Sequence, residues 1–342
     1  MAWPVNPASL LHASIALLPV LLFLAALLYF DSFKLLRFRT VLTVVAVGAV
    51  AAAASYPLNT IAYARFPGEF ESYTRYVSPW IEELLKAVPL VFLIRTRRVG
   101  LQVDAAIVGF AVGTGFALVE NLYYLASRPE ATLAVQVIRG FGTAIMHGGT
   151  ATILAMISVT LYEKRPDAGL LVFVPGYLAA VLLHSGFNQL LVRPALATLV
   201  ILLLLPLVMY CVFQYGERVL RDWLDSDLEA KVALLAAIEG GSFLDSSAGR
   251  YLRSLRASFR GEDLADMLCY VRLHGELAVR AKGVLLLRES GIEELPIDAR
   301  TRDSLAELAA LERAIGATGM LALRPLIMAS SKDVWQLRLL GR

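Results

Sequence analysis

The chain is 342 residues long, and 58% of these residues are hydrophobic while only 18% are charged. Soluble domains have about 45–50% apolar and about 25% charged residues, so the composition argues against an ordinary soluble protein and predicts a membrane protein. The net charge of +3, with no basic block, argues against a nucleic-acid partner. The two cysteines, Cys211 and Cys269, form no CxxC pair, which excludes a disulfide framework and a thiolate zinc site.

Charged residues are distributed unevenly along the chain. Residues 1–216 contain 14 lysines and arginines and 10 aspartates and glutamates, whereas residues 217–342 contain 18 and 19. The first part therefore has the composition of a membrane domain, and the second has that of a soluble domain. We place the domain border near Gly216.

The second part has the periodicity of amphipathic helices. Apolar residues recur every three or four positions in three segments, at 228–238, 262–280 and 303–315. Breaker residues separate these segments, at Gly240, Gly241 and Pro296. His274 has no second histidine or cysteine near it in the sequence, so we interpret it as a solvated or structural residue rather than a metal ligand.

Seven segments are long and apolar enough for membrane spans, which need about 20 mostly apolar residues. The third segment, residues 77–94, is short and contains three charges, so hydropathy supports it least. The predicted fold class is all-α, a polytopic transmembrane helix bundle of about seven spans with a C-terminal helical soluble domain. The predicted spans are 9–30, 41–63, 77–94, 102–126, 132–161, 169–192 and 195–215.

Basic residues cluster in alternate loops. The positive-inside rule places such loops in the cytoplasm, which predicts an external N-terminus and a cytoplasmic C-terminal domain. The residues concerned follow spans one, three, five and seven, and they are Lys34, Arg37, Arg39, Arg95, Arg97, Arg98, Lys164, Arg165, Arg218 and Arg221.

The apolar spans contain a few ionisable residues, and such residues usually face the bundle interior and serve function. With a rise of about 1.5 Å per residue, the carboxylates and imidazoles among them lie within about 10 Å of their span midpoints, slightly toward the external face. Four different spans thus offer acidic and imidazole groups in one layer. The residues are Glu82, Glu83 and Lys86 in span three, Glu120 in span four, Arg139 and His147 in span five, and His184 with Asn188 in span six.

Each of these residues also has a structural explanation. Lys86 lies one helical turn from both Glu82 and Glu83, so it can form a salt bridge that helps the span insert. Adjacent helix positions point about 100° apart, however, so one lysine leaves one carboxylate free for other partners.

The remaining ionisable residues and Asn188 also have structural explanations. Glu120 can lie at the membrane interface, and His147 can mark a close helix contact beside two glycines. His184 and Asn188, one turn apart, can form an interhelical hydrogen-bonding pair.

Peptide hydrolysis requires an activated water and stabilisation of an oxyanion. A glutamate can act as the base with histidine and asparagine as hydrogen-bond donors, or two histidines and a glutamate can hold Zn²⁺. The residues permit both. The chain lacks HExxH and GxSG and has only Asp104 as a well-placed aspartate, which excludes the site-two metalloprotease, rhomboid and presenilin patterns.

The ordered motifs resemble those of the PrsW family of intramembrane proteases, in the wider superfamily of the CAAX prenyl-proteases. The resemblance covers residues ~77–190, and residues 217–342 have no recognised counterpart. The motifs are Glu82-Glu83-x-x-Lys86, Phe116-x-x-x-Glu120, His147 among small residues, and His184-x-x-x-Asn188.

The resemblance implies a bacterial inner-membrane endopeptidase that cuts a single-span membrane protein, such as an anti-sigma factor, near the outer face. It implies Glu82 or Glu83 as general base, with Glu82 favoured, and Glu120 and His184 completing the centre. Asn188 would be an oxyanion donor or an orienting group, and His147 a metal ligand or a residue that supports the ligands. The metal set, if Zn²⁺ is bound, would be His147, His184 and Glu120.

Two functions of other classes stay open at this point. Chains of histidine and glutamate also relay protons, so a proton-coupled transporter is the main alternative, although the chain has no internal repeat. A non-enzymatic receptor whose C-terminal domain binds a cytosolic partner is the second. The lipid bilayer is the surrounding medium in every case.

Overall fold

The structure is a computed structural model that describes residues 7–31, 36–189, 193–290, 292, 298–327, 337 and 340. Lys34 and Pro296, named above, lie outside these residues. Every regular element within the described ranges is helical, as the sequence predicts. The chain divides into two compact units, Met1–Gly216 and Glu217–Arg342, which we call the membrane unit and the second unit.

The membrane unit is built from helices of very different length. A π-helical turn, Ile138–Thr143, joins α6 to α7, and a 3₁₀ segment, Pro166–Phe173, leads into α8. The helices are α1 (Pro7–Phe30), α2 (Phe38–Tyr63), α3 (Phe70–Tyr76), α4 (Ser78–Arg95), α5 (Gln102–Ser127), α6 (Leu133–Val137), α7 (Ala144–Lys164), α8 (Val174–Asn188) and α9 (Pro194–Glu239), which extends past Gly216.

Six segments of the described chain are helical, long and apolar enough to cross a membrane. They are Leu11–Phe30, Phe38–Tyr63, Gln102–Ser127, Leu133–Lys164, Ala168–Asn188 and Pro194–Gly216. The third predicted span is helix α4, and its four ionisable residues keep it outside this set. The predicted seven spans therefore correspond to six strongly apolar helices and the more polar α4.

Helix α5 lies at the centre of the membrane unit and packs against α2 and α7. Its glycines allow this approach, because a Cβ on Gly113 would lie 2.2 Å from the carbonyl oxygen of His147, and one on Gly115 would lie 1.9 Å from that of Val45. Small residues let helix backbones come close within a membrane. The position of His147 is therefore set by direct backbone packing of α7 on α5.

Helix α4 begins at Ser78 and Pro79, and proline is favoured in a first helical turn because its missing N–H is not needed there. One face of the helix is apolar, with Ala87, Leu90 and Ile94 buried in the bundle core. The helix packs against α2, α7 and α8, so its polar first turns face the histidine-bearing helices.

The second unit is helical in the regions where the periodicity predicts helices. Helix α9 ends at Glu239, beside the positive-φ residue Gly241. The following helices are α10 (Ser247–Ser254), α11 (Gly261–Glu289) and α12 (Ala299–Ile327), and α11 packs along α12. Their apolar faces form a separate core that includes Met267 and Leu323. His274 is buried and stacks on the ring of Tyr270 at 5.9 Å, as expected for a structural histidine.

Candidate active site and metal centre

Four helices of the membrane unit place the predicted site residues around one centre. Glu82 and Glu83 come from α4, Glu120 from α5, His147 from α7 and His184 from α8. Glu83 and both histidines are buried, whereas 15% of the Glu82 side chain and 33% of the Glu120 side chain are exposed. The rare ionisable residues of the apolar helices are thus neighbours in space.

Three side chains contact one carboxylate oxygen of the buried residue Glu83. Its Oε1 is 2.6 Å from Lys86 Nζ, 2.7 Å from His184 Nδ1 and 3.1 Å from Thr150 Oγ1. Because a carboxylate only accepts hydrogen bonds, His184 donates through Nδ1 and its Nε2 is left as a Lewis base. Glu83 therefore fixes the orientation of the imidazole.

Lys86 connects Glu83 to the second histidine of the centre, His147. Its Nζ is 3.1 Å from His147 Nδ1, and it lies 4.9 Å from the ring centroid of Phe116. The Phe116 ring also packs on the imidazole of His147, with centroids 5.0 Å apart. The aromatic residue of the Phe116-x-x-x-Glu120 motif thus supports the lysine and the histidine, and Lys86 pairs with only one of the two adjacent glutamates.

Glu82 is the carboxylate that Lys86 leaves for other partners. Its Oε1 accepts a hydrogen bond of 2.6 Å from Ser78 Oγ, one turn earlier on the same helix. Its Oε2 lies 3.9 Å from His184 Nε2, the imidazole nitrogen that Glu83 does not occupy. The two adjacent glutamates therefore contact opposite nitrogens of one imidazole.

Glu120 lies on the other side of His147. Its Oε1 accepts a 2.9 Å hydrogen bond from Arg139 Nη2, and its Oε2 lies 2.5 Å from His147 Nε2. Arg139 also donates to Asn121 Oδ1 at 3.0 Å, and its guanidinium stacks 4.1 Å from the ring centroid of Tyr124. Arg139 is supplied by the π-helical turn, a feature that is frequent at functional sites.

Asn188 is placed differently from the other predicted site residues. Its Nδ2 donates a 3.0 Å hydrogen bond to the backbone oxygen of Thr74. Thr74 belongs to the short helix α3, which packs on both α4 and α8. Asn188 thus ties α3 to α8, whereas His184, one turn earlier, contacts Glu83.

A cavity of about 590 Å³ opens beside the carboxylates. Glu82 and Glu120 both line it, together with Arg139, and its remaining wall contains several tyrosines from the ends of α2 and α5. Ligand pockets in proteins commonly measure about 300–1,000 Å³ and combine an apolar wall with a few convergent polar groups. The cavity has the size and the chemistry of a binding site.

The donor set beside the cavity fits a divalent cation. One ligand atom from each of Glu82, His147 and His184 lies within 4.8 Å of the other two. Two imidazoles and a carboxylate form the set that holds catalytic Zn²⁺ in several hydrolases, with the fourth position open to water. The 3.9 Å between Glu82 Oε2 and His184 Nε2 is slightly above the roughly 3.4 Å between two ligands of a tetrahedral site. Glu82 is the carboxylate of this set, and the expected ligand Glu120 lies outside it, 2.5 Å from His147 Nε2.

Two buried oxygens next to this set support the fit. Glu83 Oε2 has no hydrogen-bond partner among the residues that the structure describes, and Glu120 Oε2 contacts only the imidazole of His147 at 2.5 Å. A buried carboxylate oxygen without a donor is costly, and it indicates a place where a cation or a bound water supplies the missing interaction.

Several residues of the centre have no distinctive pattern in the sequence. Ser78 and Thr150 bond the two glutamates of α4, and Asn59 of α2 approaches Glu82 Oε1 at 3.5 Å. Hydroxyl residues in apolar helices usually bond their own backbone, as Thr114 does here. The one available signal was spacing, since Ser78 precedes Glu82 by four positions and Thr150 follows His147 by three.

Comparison with known proteins supplies the family. A family model described as PrsW family intramembrane metalloprotease matches residues 37–214, which is more than half of the chain. No curated protein and no solved structure matches the chain. The matched region begins just before α2, ends within α9 and includes every residue of the centre described above. The chain therefore belongs to the PrsW family of intramembrane metalloproteases and is an integral membrane peptidase.

Proposed function

We propose that this peptidase cuts a membrane-tethered protein, such as a single-span anti-sigma factor, close to the outer face of the membrane. The observation that supports this most directly is the cavity of about 590 Å³ that both Glu82 and Glu120 line. Both carboxylates lie beside an imidazole, so a peptide entering the cavity meets the groups that hydrolysis requires.

In this proposal the glutamates and histidines of the centre have different roles in the reaction. Glu82, His147 and His184 would hold a divalent cation such as Zn²⁺. When bound, such an ion polarises the scissile carbonyl and lowers the pKa of water. Glu120 accepts the proton of the attacking water, while Arg139 holds its Oε1 at 2.9 Å and His147 Nε2 lies 2.5 Å from its Oε2. Glu82 and Glu120 thereby exchange the roles that the motif resemblance implies. In the resemblance, Glu82 is the favoured base and Glu120 is a metal ligand.

Glu83 and Lys86 act one step further from the substrate. Glu83 holds His184 in the tautomer whose Nε2 is free, and a carboxylate behind a ligating histidine also raises the basicity of the ligand. Lys86 balances the charge of Glu83 and lies 3.1 Å from His147 Nδ1. Both are positioning residues, and their complete burial keeps water away from them.

Asn188 orients the centre through helix α3. By holding the carbonyl of Thr74, it fastens α3 beside the cavity, to which Tyr73 and Thr74 of that helix contribute. Of the two roles that the resemblance offers for Asn188, this contact favours orientation over hydrogen bonding to the oxyanion.

We further propose an external N-terminus and a cytoplasmic second unit, in the inner membrane of a bacterium. The basic loops support this orientation, and the tyrosines that line the cavity fit the aromatic belt of a membrane interface. With this orientation the cavity faces outward and the second unit is available to a cytosolic partner. A proton-coupled transporter fits less well, because the ionisable groups converge on one centre rather than following a path across the bundle.

The test is cleavage of a reporter by the full-length enzyme in proteoliposomes. The reporter has one membrane span, and a fluorescence donor and quencher flank its external juxtamembrane segment. We expect wild type to cut it there, as mapped by mass spectrometry, and we expect the double variant Glu82→Ala, Glu83→Ala to be inactive at equal protein level. Full activity of that variant would overturn the proposal.

A further inference from the structure

We propose that Asn59 of helix α2 donates the hydrogen bond that stabilises the oxyanion during peptide cleavage, an inference that rests on the proposed peptidase function. In that reaction the water oxygen bonds to the carbonyl carbon, one water proton moves to Glu120, and the C=O electron pair moves onto the carbonyl oxygen. The C=O bond then re-forms, the C–N bond breaks, and the leaving nitrogen takes the proton from Glu120. The charged oxygen needs a donor throughout.

Asn59 is in the right place to be that donor. It lines the same cavity as Glu82 and Glu120, on the wall formed by α2. Its Nδ2 lies 3.5 Å from Glu82 Oε1, at the outer limit of a hydrogen bond, and that oxygen already accepts a 2.6 Å bond from Ser78. The amide is therefore close to the reacting groups without being tightly bound to any of them.

Tyr73 of helix α3 fixes the direction of this amide. Its hydroxyl donates to Asn59 Oδ1 at 2.8 Å and lies 3.1 Å from the backbone oxygen of Asn59. The Tyr73 side chain is buried and held between the rings of Tyr63 and Phe66, with centroids 5.2 and 5.6 Å away. With Oδ1 occupied by the phenol, the NH₂ group of Asn59 must face Glu82 and the cavity.

Two other donor residues near the centre, Asn188 and Arg139, are already engaged. Asn188 donates to the backbone of α3, and the Nε and Nη2 of Arg139 donate to Asn121 and Glu120. A pre-oriented donor that is not consumed by the protein is what oxyanion stabilisation requires, because no reorganisation is then needed during the reaction. Tyr73 is a positioning residue in this scheme, and Asn59 is the catalytic one.

The test uses the full-length enzyme and the single-span reporter described above. Asn59→Ala and the volume-matched Asn59→Leu should lower kcat about 10²–10³-fold, as loss of an oxyanion donor does, with KM changed less than about three-fold. Tyr73→Phe, which removes only the hydroxyl, should lower kcat by roughly ten-fold with an unchanged melting temperature. Thr43→Val, on the same helix but with its hydroxyl bonded to its own backbone, is the matched control.

The metal content of the variants distinguishes two roles of Asn59, stabilising the oxyanion and holding the proposed ligand Glu82. Asn59→Ala should bind as much Zn²⁺ as wild type, measured on purified protein. Loss of the metal in that variant, or an unchanged kcat in Asn59→Leu and Tyr73→Phe while Asn188→Ala loses kcat, would overturn the inference. Failure of wild type to cut any reporter would instead refute the proposed function, so the two failures are distinguishable.

Discussion

The two units contain ion pairs of similar length in opposite surroundings. In the membrane unit, Lys86 Nζ and Glu83 Oε1 are 2.6 Å apart, and both side chains are completely buried. In the second unit, Arg280 Nη2 and Asp298 Oδ2 are 2.8 Å apart, with 46% and 49% of their side chains exposed. The distances are nearly equal, so the two pairs differ chiefly in their burial.

This difference indicates why charges are present in each unit. Water screens an exposed pair, so that pair contributes little to stability and either partner can be replaced at small cost. A buried pair cannot lose one member without leaving an uncompensated charge in an apolar environment. A membrane bundle that retains such charges at one centre therefore retains them for chemistry. The predictions below test this contrast.

The largest effect is expected on catalysis. Glu120→Gln and Glu82→Gln should each lower the cleavage rate about 10²–10⁴-fold, because the first removes the proposed proton acceptor and the second a proposed ligand. Both substitutions preserve shape, so the melting temperature in detergent should change little. Glu130→Gln, which removes an exposed carboxylate of the same unit, should cleave at the wild-type rate. Equal rates in all three variants would remove the chemical distinction between the acids of the centre and an exposed acid of the same unit.

The next effect is on the stability of the membrane unit. Lys86→Met leaves Glu83 buried without its cation and should lower the free energy of unfolding by about 3–5 kcal/mol. Adding Glu83→Gln to Lys86→Met should restore part of this loss, which a double-mutant cycle in detergent would measure. A loss below 1 kcal/mol for Lys86→Met, by the same measurement, would show that the buried pair behaves like an exposed one.

A smaller effect is expected from helix packing, which brings the buried charges together. Gly113→Ala would place a Cβ 2.2 Å from the carbonyl oxygen of His147, so α7 must shift, at a cost of about 1–3 kcal/mol and with reduced cleavage. Gly186→Ala on α8 is the matched control, because its added Cβ meets nothing within 4 Å. Similar thermal unfolding curves for the two variants would contradict the close α5–α7 contact.

The smallest effect concerns the exposed pair of the second unit. Hydrogen bonds from Thr301, together with Arg280, lower the pKa of Asp298 to about 2. A lowered pKa means that Asp298 stabilises the fold above its ordinary pKa of about 3.9, and that this contribution is lost as the pH falls through the folded value. Asp298→Ala should therefore speed amide exchange at Thr301, whose N–H it accepts at 2.9 Å, without a measurable change in global unfolding. A large global loss would show that this pair is not a surface pair.

Much of the architecture could be predicted from the sequence, because long apolar segments and sparse charges have few structural solutions in a membrane. The helices α1, α2, α5 and α7 follow from continuous apolar segments. The four helices that form the centre could be identified because ionisable residues are rare within such segments. Even the partition of the two adjacent glutamates was foreseeable, since one lysine can satisfy only one of them.

The roles within the centre could not be predicted, because they depend on helix rotation and on contacts between distant segments. Which glutamate faces His184 is decided by the packing of α4 on α7 and α8. The pairing of Arg139 with Glu120 spans 19 positions, and Asn188 reaches back 114 positions to Thr74. No local pattern reports such contacts, so the sequence alone cannot decide between Glu120, the expected ligand, and Glu82, the proposed one.

The most direct test is the zinc content of purified wild type, Glu82→Gln and Glu120→Gln, measured together with cleavage before and after treatment with a chelator. We expect wild type to contain about one zinc per chain and to lose activity with the metal, as catalytic zinc sites do. Glu82→Gln should lose the metal, whereas Glu120→Gln should retain it and still be inactive. A wild-type enzyme that is metal-free and fully active in chelator, or a metal lost in Glu120→Gln but kept in Glu82→Gln, would contradict this account.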